Sequence, residues 1–456
     1  MAGQPVARGS WRSASALTTV PAVARSNHLP RVIVASFIGT TIEWYDFFLY
    51  GTAAALVFQH LFFPKMDPLA GTLSAYGTFA VGFVARPLGG IIFGHFGDRV
   101  GRKTTLVWSL LIMGVATALI GLIPTYDTIG VWSPILLVFL RFMQGIGVGG
   151  EWGGAVLLAV EHSGGNRRGF HGAWPQMGVP AGLLLSTGVF ATVNAHLSEG
   201  AFLSWGWRIP FLVSVVLIGI GLFIRLRILE TPVFEKLRET NRESRAPLLD
   251  VFRHHPREIL VGMGMRFAQN VLFYVYTVFV LSYGEKTLGY SRSALLRGIV
   301  AVSVLGLIAI PFWSYLSDRV GRKPVYLAGA IIALASVFPF FWILGLGPHY
   351  IALAMILGMN LGHDMMYGPM AAYFSELFGT HVRYSGASFV YQLTSVFSGG
   401  LAPFIATLLL ARHGVNAVAA YVAFCCVVTL IATFFAPETH RRTLDGIQRS
   451  GRVTTP

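Results

Sequence analysis

Seven ionisable side chains interrupt long apolar stretches of this 456-residue chain: Glu43, Asp46, Arg86, Arg141, Glu151, Arg266 and Asp364. On insertion scales a charged group at the centre of a bilayer costs about 2.5–3.5 kcal/mol, so such residues are kept where a wet cavity, a partner of opposite sign or a proton compensates them. The four acids, Asp46, Glu43, Glu151 and Asp364, therefore have the chemistry of proton carriers. The three arginines have the chemistry of anion binders, because a guanidinium matches a carboxylate with two parallel N–H···O bonds. Glu43, Asp46, Phe47 and Tyr50 fall at i, i+3, i+4 and i+7 and are expected to share one helical face. Other assignments stay open: Glu43 and Asp46 as ion-pair partners nearer an interface, Glu151 as half of an internal salt bridge, and some of the arginines as partners of the acids.

The elements that must position these groups are membrane helices. Hydrophobic residues make up 54% of the chain and charged ones 12%, against about 25% charged in an ordinary soluble domain. A bilayer-crossing helix needs roughly 20 apolar residues. Twelve such stretches occur, at about 32–58, 73–93, 104–123, 135–160, 170–196, 209–228, 259–283, 294–315, 325–346, 350–374, 385–410 and 417–435. The expected class is an all-α polytopic membrane protein. The net charge of +14 is distributed by topology: with the N-terminus placed in the cytoplasm, 25 of the 34 lysines and arginines lie on cytoplasmic tails and connections, and six on external ones. The remaining three are the arginines within spans. Such a bias is the positive-inside rule, and it argues against a nucleic-acid footprint. It predicts both termini inside, a disordered cytoplasmic tail over 1–30, six-helix bundles over 31–228 and 257–436, a cytoplasmic linker over 229–256 and a second cytoplasmic tail over 437–456. Residues 1–30 lack the apolar core of a secretory signal. Cys425 and Cys426, both in the last span, are expected to serve packing.

The chain carries one charged hexapeptide twice. Asp98-Arg99-Val100-Gly101-Arg102-Lys103 and Asp318-Arg319-Val320-Gly321-Arg322-Lys323 are identical and stand 220 residues apart. An exact repeat at close to half the chain length marks a duplicated unit. Two further echoes accompany it: Glu161 and Arg168 after the fourth span match Glu376 and Arg383 after the tenth, and Glu230-Thr231-Pro232 is answered by Pro437-Glu438-Thr439. All these groups are expected on cytoplasmic connections as a girdle built twice. The hexapeptide glycines suit tight reversals between spans, and the aspartates suit a helix N-terminus or a nearby arginine. The likeness of Gly101-Arg102-Lys103-Thr104 to a phosphate-binding loop fails, since Arg102 stands where that motif needs Gly.

Other polar positions fall at helical spacing inside spans: Arg141 with Gln144 in the fourth, Arg266 with Asn270 in the seventh and Tyr274 beside them. The tenth holds Asn360, Asp364 and Tyr367, with His363 turned about 100° from Asp364, and the eleventh holds Tyr391, Gln392 and Ser395. In the fourth span Gly145, Gly149 and Gly153 repeat every four residues, which presents a smooth face to a neighbouring helix.

The run Gly94-x-x-x-Asp98-Arg99-x-Gly101-Arg102-Lys103 between spans two and three, and its second copy, resemble the major facilitator superfamily. Glu43-Trp44-Tyr45-Asp46-Phe47 and the run from Arg141 to Gly154 are similar to those of its metabolite–proton symporters, a group that carries shikimate, 2-oxoglutarate, citrate, and proline or betaine. The resemblance covers roughly residues 30–445. It implies twelve helices in two pseudo-symmetric six-helix bundles, with a substrate site between them near mid-membrane. It also implies proton-coupled symport of a small polar metabolite, a carboxylate given the arginines, by a monomer in the bacterial inner membrane surrounded by lipid, with no cofactor, no metal and no nucleic acid. The proton would ride on Asp46, with Glu43, Glu151 and Asp364 as further carriers. Substrate would meet Arg86, Arg141, Gln144, Arg266, Asn270, Tyr274, Asn360, Tyr391 and Gln392. A conformational latch would be built from Asp98, Arg99, Arg102, Glu161, Arg168, Asp318, Arg319, Arg322, Glu376 and Arg383. The rival reading is a proton antiporter exporting a drug or metabolite on the same architecture. A membrane enzyme is disfavoured because neither His-Glu-x-x-His nor Gly-x-Ser-x-Gly occurs, and a sensor because no soluble output domain is appended.

Overall fold

The computed structural model describes residues 29–100, 102–149, 152–161, 167–227, 253, 255–378 and 383–440. Twelve helical rods account for the twelve apolar stretches. They are α1 (Leu29–Leu56), α2 (Pro68–Val100), α3 (Arg102–Ile120), α4 (Trp132–Val148, resuming as Trp152–Glu161), α5 (Arg168–His196) and α6 (Arg208–Arg227) in the first half. The second half holds α7 (Pro256–Lys286), α8 (Arg292–Val320), α9 (Arg322–Gly345), α10 (351–377), α11 (383–413) and α12 (Val415–Phe435). Several rods outrun their apolar cores. The overshoot carries charged residues out of the hydrocarbon, where the backbone still gains from helical hydrogen bonds.

Burial is inverted relative to a water-soluble protein. Large apolar side chains such as Trp108, Phe139, Val216, Ile308, Trp342 and Phe434 leave more than half of their surface on the outside of the bundle, while Asp46, Arg86, Arg141, Arg266 and Asp364 are buried. Lipid solvates the first set. The polar groups turn inward, where other helices can satisfy them. The halves meet along two seams, α5 against α8 and α2 against α11, which are equivalent positions in a two-fold arrangement.

Small residues bring α2 and α4 into backbone contact. A Cβ on Gly89 would overlap the carbonyl of Ile146, one on Gly145 the carbonyl of Gly82, and one on Gly149 the carbonyl of Arg86. The glycine repeat of α4 is thus spent on approach to α2, which places Arg86 and Arg141 side by side. At the second hexapeptide, α8 and α9 are separated by Gly321 alone, whose φ of 110° lies in the region that glycine tolerates best. Three π-helical turns, Val275–Phe279 in α7, Ile356–His363 in α10 and Val396–Gly400 in α11, interrupt second-half helices beside the polar interior. Such turns are frequent at functional sites.

Candidate functional site

In the first half, Asp46 and the two arginines are held by different sets of helices. Asp46 is fully buried, and its Oδ1 accepts a 2.5 Å hydrogen bond from Ser214 on α6, while Oδ2 has no hydrogen-bond partner among the described residues. Gln144 on α4 donates to the Asp46 carbonyl at 3.2 Å and to Thr117 on α3 at 2.7 Å, and its side-chain oxygen accepts from Arg141. The neighbour of Asp46, Phe47, points elsewhere. Its ring lies 4.1 Å from the Arg86 guanidinium carbon and 4.3 Å from that of Arg141, so one ring serves two cations. Asp46 and Phe47 therefore diverge: the aromatic faces the seam and the acid faces the interior of its own half. Glu43 is buried one turn earlier on α1.

Arg86 sits in a box of Phe47, Phe83 at 4.5 Å and Trp44 at 5.4 Å, with Nε and Nη2 lacking hydrogen-bond partners among the described residues. Arg141 is likewise boxed by Phe47, Tyr50 and Phe79, with Nη2 bare. Cation–π contact offsets part of the cost of burying a guanidinium, about 2 kcal/mol or more when desolvated, but supplies no acceptor for its N–H groups.

The second half treats its arginine differently. Arg266 donates from Nε to the Tyr391 carbonyl (3.2 Å), from Nη1 to Gln269 (3.1 Å), and from Nη2 to Ser395 (3.1 Å) and Asn270 (3.4 Å), while Tyr391 stacks on it at 3.3 Å. Gln269 continues to His363 Nε2 at 2.6 Å, His363 Nδ1 to Asp364 at 2.8 Å, and Asp364 accepts from Asn360 at 2.7 Å. Two small cavities of about 10 Å³ lie against this row. One is lined by Ser303, Asn360 and Asp364 among others, the other by Trp44, Arg266, Asn270, Tyr274 and Tyr391, and both by Val179, Phe273, His363 and Tyr367. A cavity of that size holds roughly one water, so the interior is nearly closed. Gln392 reaches across the seam to the Gly149 carbonyl at 3.1 Å, and Trp152 stacks on Tyr391 at 3.7 Å. Gln269 is absent from the sequence expectations, and His363, placed beside Asp364 there, has no role assigned to it. The signal available was a polar residue in each of two spans, without a sign that the two touch.

Both faces of the bundle are tied across the seam. On the hexapeptide face, Asp318 accepts backbone N–H bonds from Gly169 (2.9 Å) and Phe170 (2.8 Å) at the N-terminus of α5 and pairs with Arg322 at 2.8 Å. Glu376 receives Arg168 from the other half at 3.1 Å and Arg322 from its own at 3.4 Å. Glu438 reaches the start of α9, where burial pushes its carboxyl up but backbone N–H groups of His440, Arg322, Lys323 and Thr439 outweigh it and hold it below the usual range. Arg319 lies over the Tyr315 ring. On the opposite face Tyr76 meets Ser282 at 2.7 Å, and Lys286 meets Gln59 and, at 2.7 Å, Thr72. The side chains of Asp98, Arg99, Arg102, Glu151, Glu161 and Arg383 lie outside the described residues, as do the tail before 29, the stretch 228–252 and the tail after 440.

Two six-helix halves enclosing buried charges at their common seam define a secondary transporter. Residues 36–403 match the Major Facilitator Superfamily, and the chain belongs to it. It is 43% identical over 425 residues to the inner membrane metabolite transport protein YhjE of Escherichia coli (strain K12), spanning 92% of this chain and 96% of that one. It is 42% identical over 416 residues to the shikimate transporter of the same organism (90% and 95%), and 35% identical over 428 residues to its proline/betaine transporter (92% and 85%). Among solved structures, the proton:xylose symporter XylE bound to 6-bromo-6-deoxy-D-glucose superposes with a TM-score of 0.72 over 93% of this chain and 99% of that one, at 19% identity, a likeness of fold. The protein is a membrane transporter, not an enzyme.

Proposed function

We propose that the protein is a proton-coupled symporter of a small carboxylate, working by alternating access with its hexapeptide face and both termini in the cytoplasm of a bacterial inner membrane. The observation that carries this reading is the set of buried guanidiniums at the seam with donors left without hydrogen bonds. Arg86, Arg141 and Arg266 are buried together, no carboxylate stands within salt-bridge distance of them among the described residues, and Arg86 keeps two donors bare. A guanidinium excluded from water is costly to leave without an anion, and an arriving carboxylate supplies it with two charge-assisted bonds. Arg86 and Arg266 are the anion-facing pair, with Asn270, Tyr274, Asn360, Tyr391 and Gln392 as the surrounding wall. Asp46 is the proton carrier, because its bare Oδ2 has room for a proton and Gln144 joins its backbone to Arg141. The relatives named for shikimate and for proline/betaine transport support a small carboxylate or zwitterion; the bare guanidinium donors of Arg86 and Arg141 favour the anion.

The test is uptake of shikimate into proteoliposomes with an acidic exterior, beside counterflow without a gradient. Asp46→Asn is expected to lose accumulation and keep counterflow. Arg86→Lys loses the bidentate geometry and should weaken shikimate about tenfold to a hundredfold. Accumulation of glycine betaine without any of shikimate would replace the anion assignment by a zwitterion. Full accumulation in Asp46→Asn would place the proton elsewhere.

A further inference from the structure

The row from Arg266 to Asp364 has one consistent proton arrangement. A guanidinium only donates, so the Gln269 atom facing Arg266 Nη1 is the oxygen, and its amide nitrogen faces His363. His363 Nε2 must then accept, which places the ring proton on Nδ1, against the Asp364 carboxylate. Every bond runs the same way, from the cation through Gln269 and a neutral His363 to the anion. Adding one proton to Nε2 breaks this order, since both ring nitrogens then donate. Gln269 restores its bond only by turning its amide so that the oxygen faces His363, and it thereby withdraws the acceptor from Arg266 Nη1.

We propose that His363 is a second proton-binding site, in the α10–α7 seam, and that its protonation, through Gln269, frees one Arg266 N–H for the substrate carboxylate. Arg266 and Gln269 line one cavity and His363 lines both, so the released donor and the titrating ring share the enclosed space. Charged and titratable groups facing His363 are Asp364 and Tyr367 on α10, Arg266 and Tyr274 on α7, and Tyr391 on α11. From α8, α5 and α1 the cavity walls present Ser303, Val179 and Trp44, while α9 meets this stretch of α10 through Ala333 beside Gly362. An imidazolium and Arg266 repel, and a carboxylate between them relieves the repulsion. Proton and anion therefore favour each other's binding, as linkage requires.

This inference rests on the reading of the chain as a proton–carboxylate symporter, and its test separates the two. In the full chain labelled with 15N-histidine, without substrate, the signal lost in His363→Gln should report the Nδ1–H tautomer at high pH and a doubly protonated ring once the pH is lowered. An Nε2–H tautomer or a silent ring overturns the proposal. With shikimate as the probe, wild-type affinity should strengthen about tenfold from pH 8 to pH 6. Gln269→Leu should bind more tightly than wild type at pH 8 and with a reduced pH dependence, because its Arg266 donor is always free, whereas a merely structural role would weaken binding at every pH. Asp46→Asn should keep the pH dependence of affinity; its loss there, with retention in His363→Gln, also overturns the proposal. If wild type binds no shikimate at any pH, the carboxylate reading falls and the tautomer measurement alone decides the row.

Discussion

On the hexapeptide face two carboxylates and two guanidiniums from both halves meet with almost no solvent contact: Asp318 and Arg168 keep 6% of their side-chain surface, Arg322 keeps 2% and Glu376 keeps 1%. On the opposite face the same two halves meet mainly through neutral groups, in the Tyr76–Ser282 contact, around Lys286 and between Asn194 and the start of α8, where Arg292 donates to Asn194 at 3.4 Å but pairs with Glu285 of its own half. The two closures have different energetics. Breaking a buried ion cluster by removing one member leaves charge stranded and costs about 3–5 kcal/mol, whereas a neutral hydrogen bond contributes about 0.5–1.5 kcal/mol net. One gate therefore opens in a single step and the other can loosen by degrees. We propose that the charged cluster holds most of the bias between inward and outward access.

The largest expected effect comes from Glu376→Gln. Glu376 forms ion pairs with Arg168 and Arg322 and accepts a 2.6 Å hydrogen bond from the Thr439 hydroxyl. Its loss sets two buried guanidiniums against each other and should move the population toward an open hexapeptide face by a factor of about a hundred to several thousand. Ala371 is buried beside Gly172 of the other half and reports that opening. On a background lacking Cys425 and Cys426, maleimide labelling of Ala371→Cys should rise from near zero to near complete. Unchanged labelling would mean that the cluster holds the fold and not the gate.

Asp318→Asn should do less. The amide still accepts one of the two N–H bonds from Gly169 and Phe170, and Arg322 still reaches Glu376. What disappears is the negative charge at the α5 N-terminus and a charge-assisted bond, together worth about 1–3 kcal/mol. Labelling at 371 should rise about tenfold to a hundredfold, clearly below that of Glu376→Gln. An equal or larger effect would shift the centre of the gate from Glu376 to the helix terminus.

Much of this contrast is visible in the amino-acid order alone. Helix length and number follow from apolar runs, because a bilayer admits few other spanning structures. The duplicated hexapeptide points to that face, and Asp318 and Arg322 of its second copy enter the ion cluster there. The Gln269–His363 contact is not visible in this way. It joins residues 94 apart through the side-by-side placement of α7 and α10, and the π-helical turn at Ile356–His363 shifts the register on which a 3.6-residue wheel depends. Asp46 shows the same limit in a milder form. Periodicity puts it near Phe47 and Tyr50, but only packing decides that its carboxyl meets Ser214 on α6 while Phe47 meets the arginines. The neutral gate leaves no trace at all, since Tyr76 and Ser282 are ordinary residues until two helices bring them together.

That neutral gate gives the smallest and most discriminating prediction. Tyr76→Phe removes one hydroxyl, and Ser282 keeps a 3.0 Å bond to the Phe279 carbonyl, so no buried group is orphaned. The opposite face should then open only about two- to tenfold more often. Under alternating access the two gates draw on one equilibrium, so Tyr76→Phe should lower labelling at 371 by the factor that it raises labelling of a cysteine placed at Ser282. Combined with Glu376→Gln, it should partly reverse the dominance of the open hexapeptide face, with the free energies adding because the sites lie on opposite faces. A double variant labelled strongly at both positions, and leaking protons in liposomes, would show instead that the two closures are independent doors.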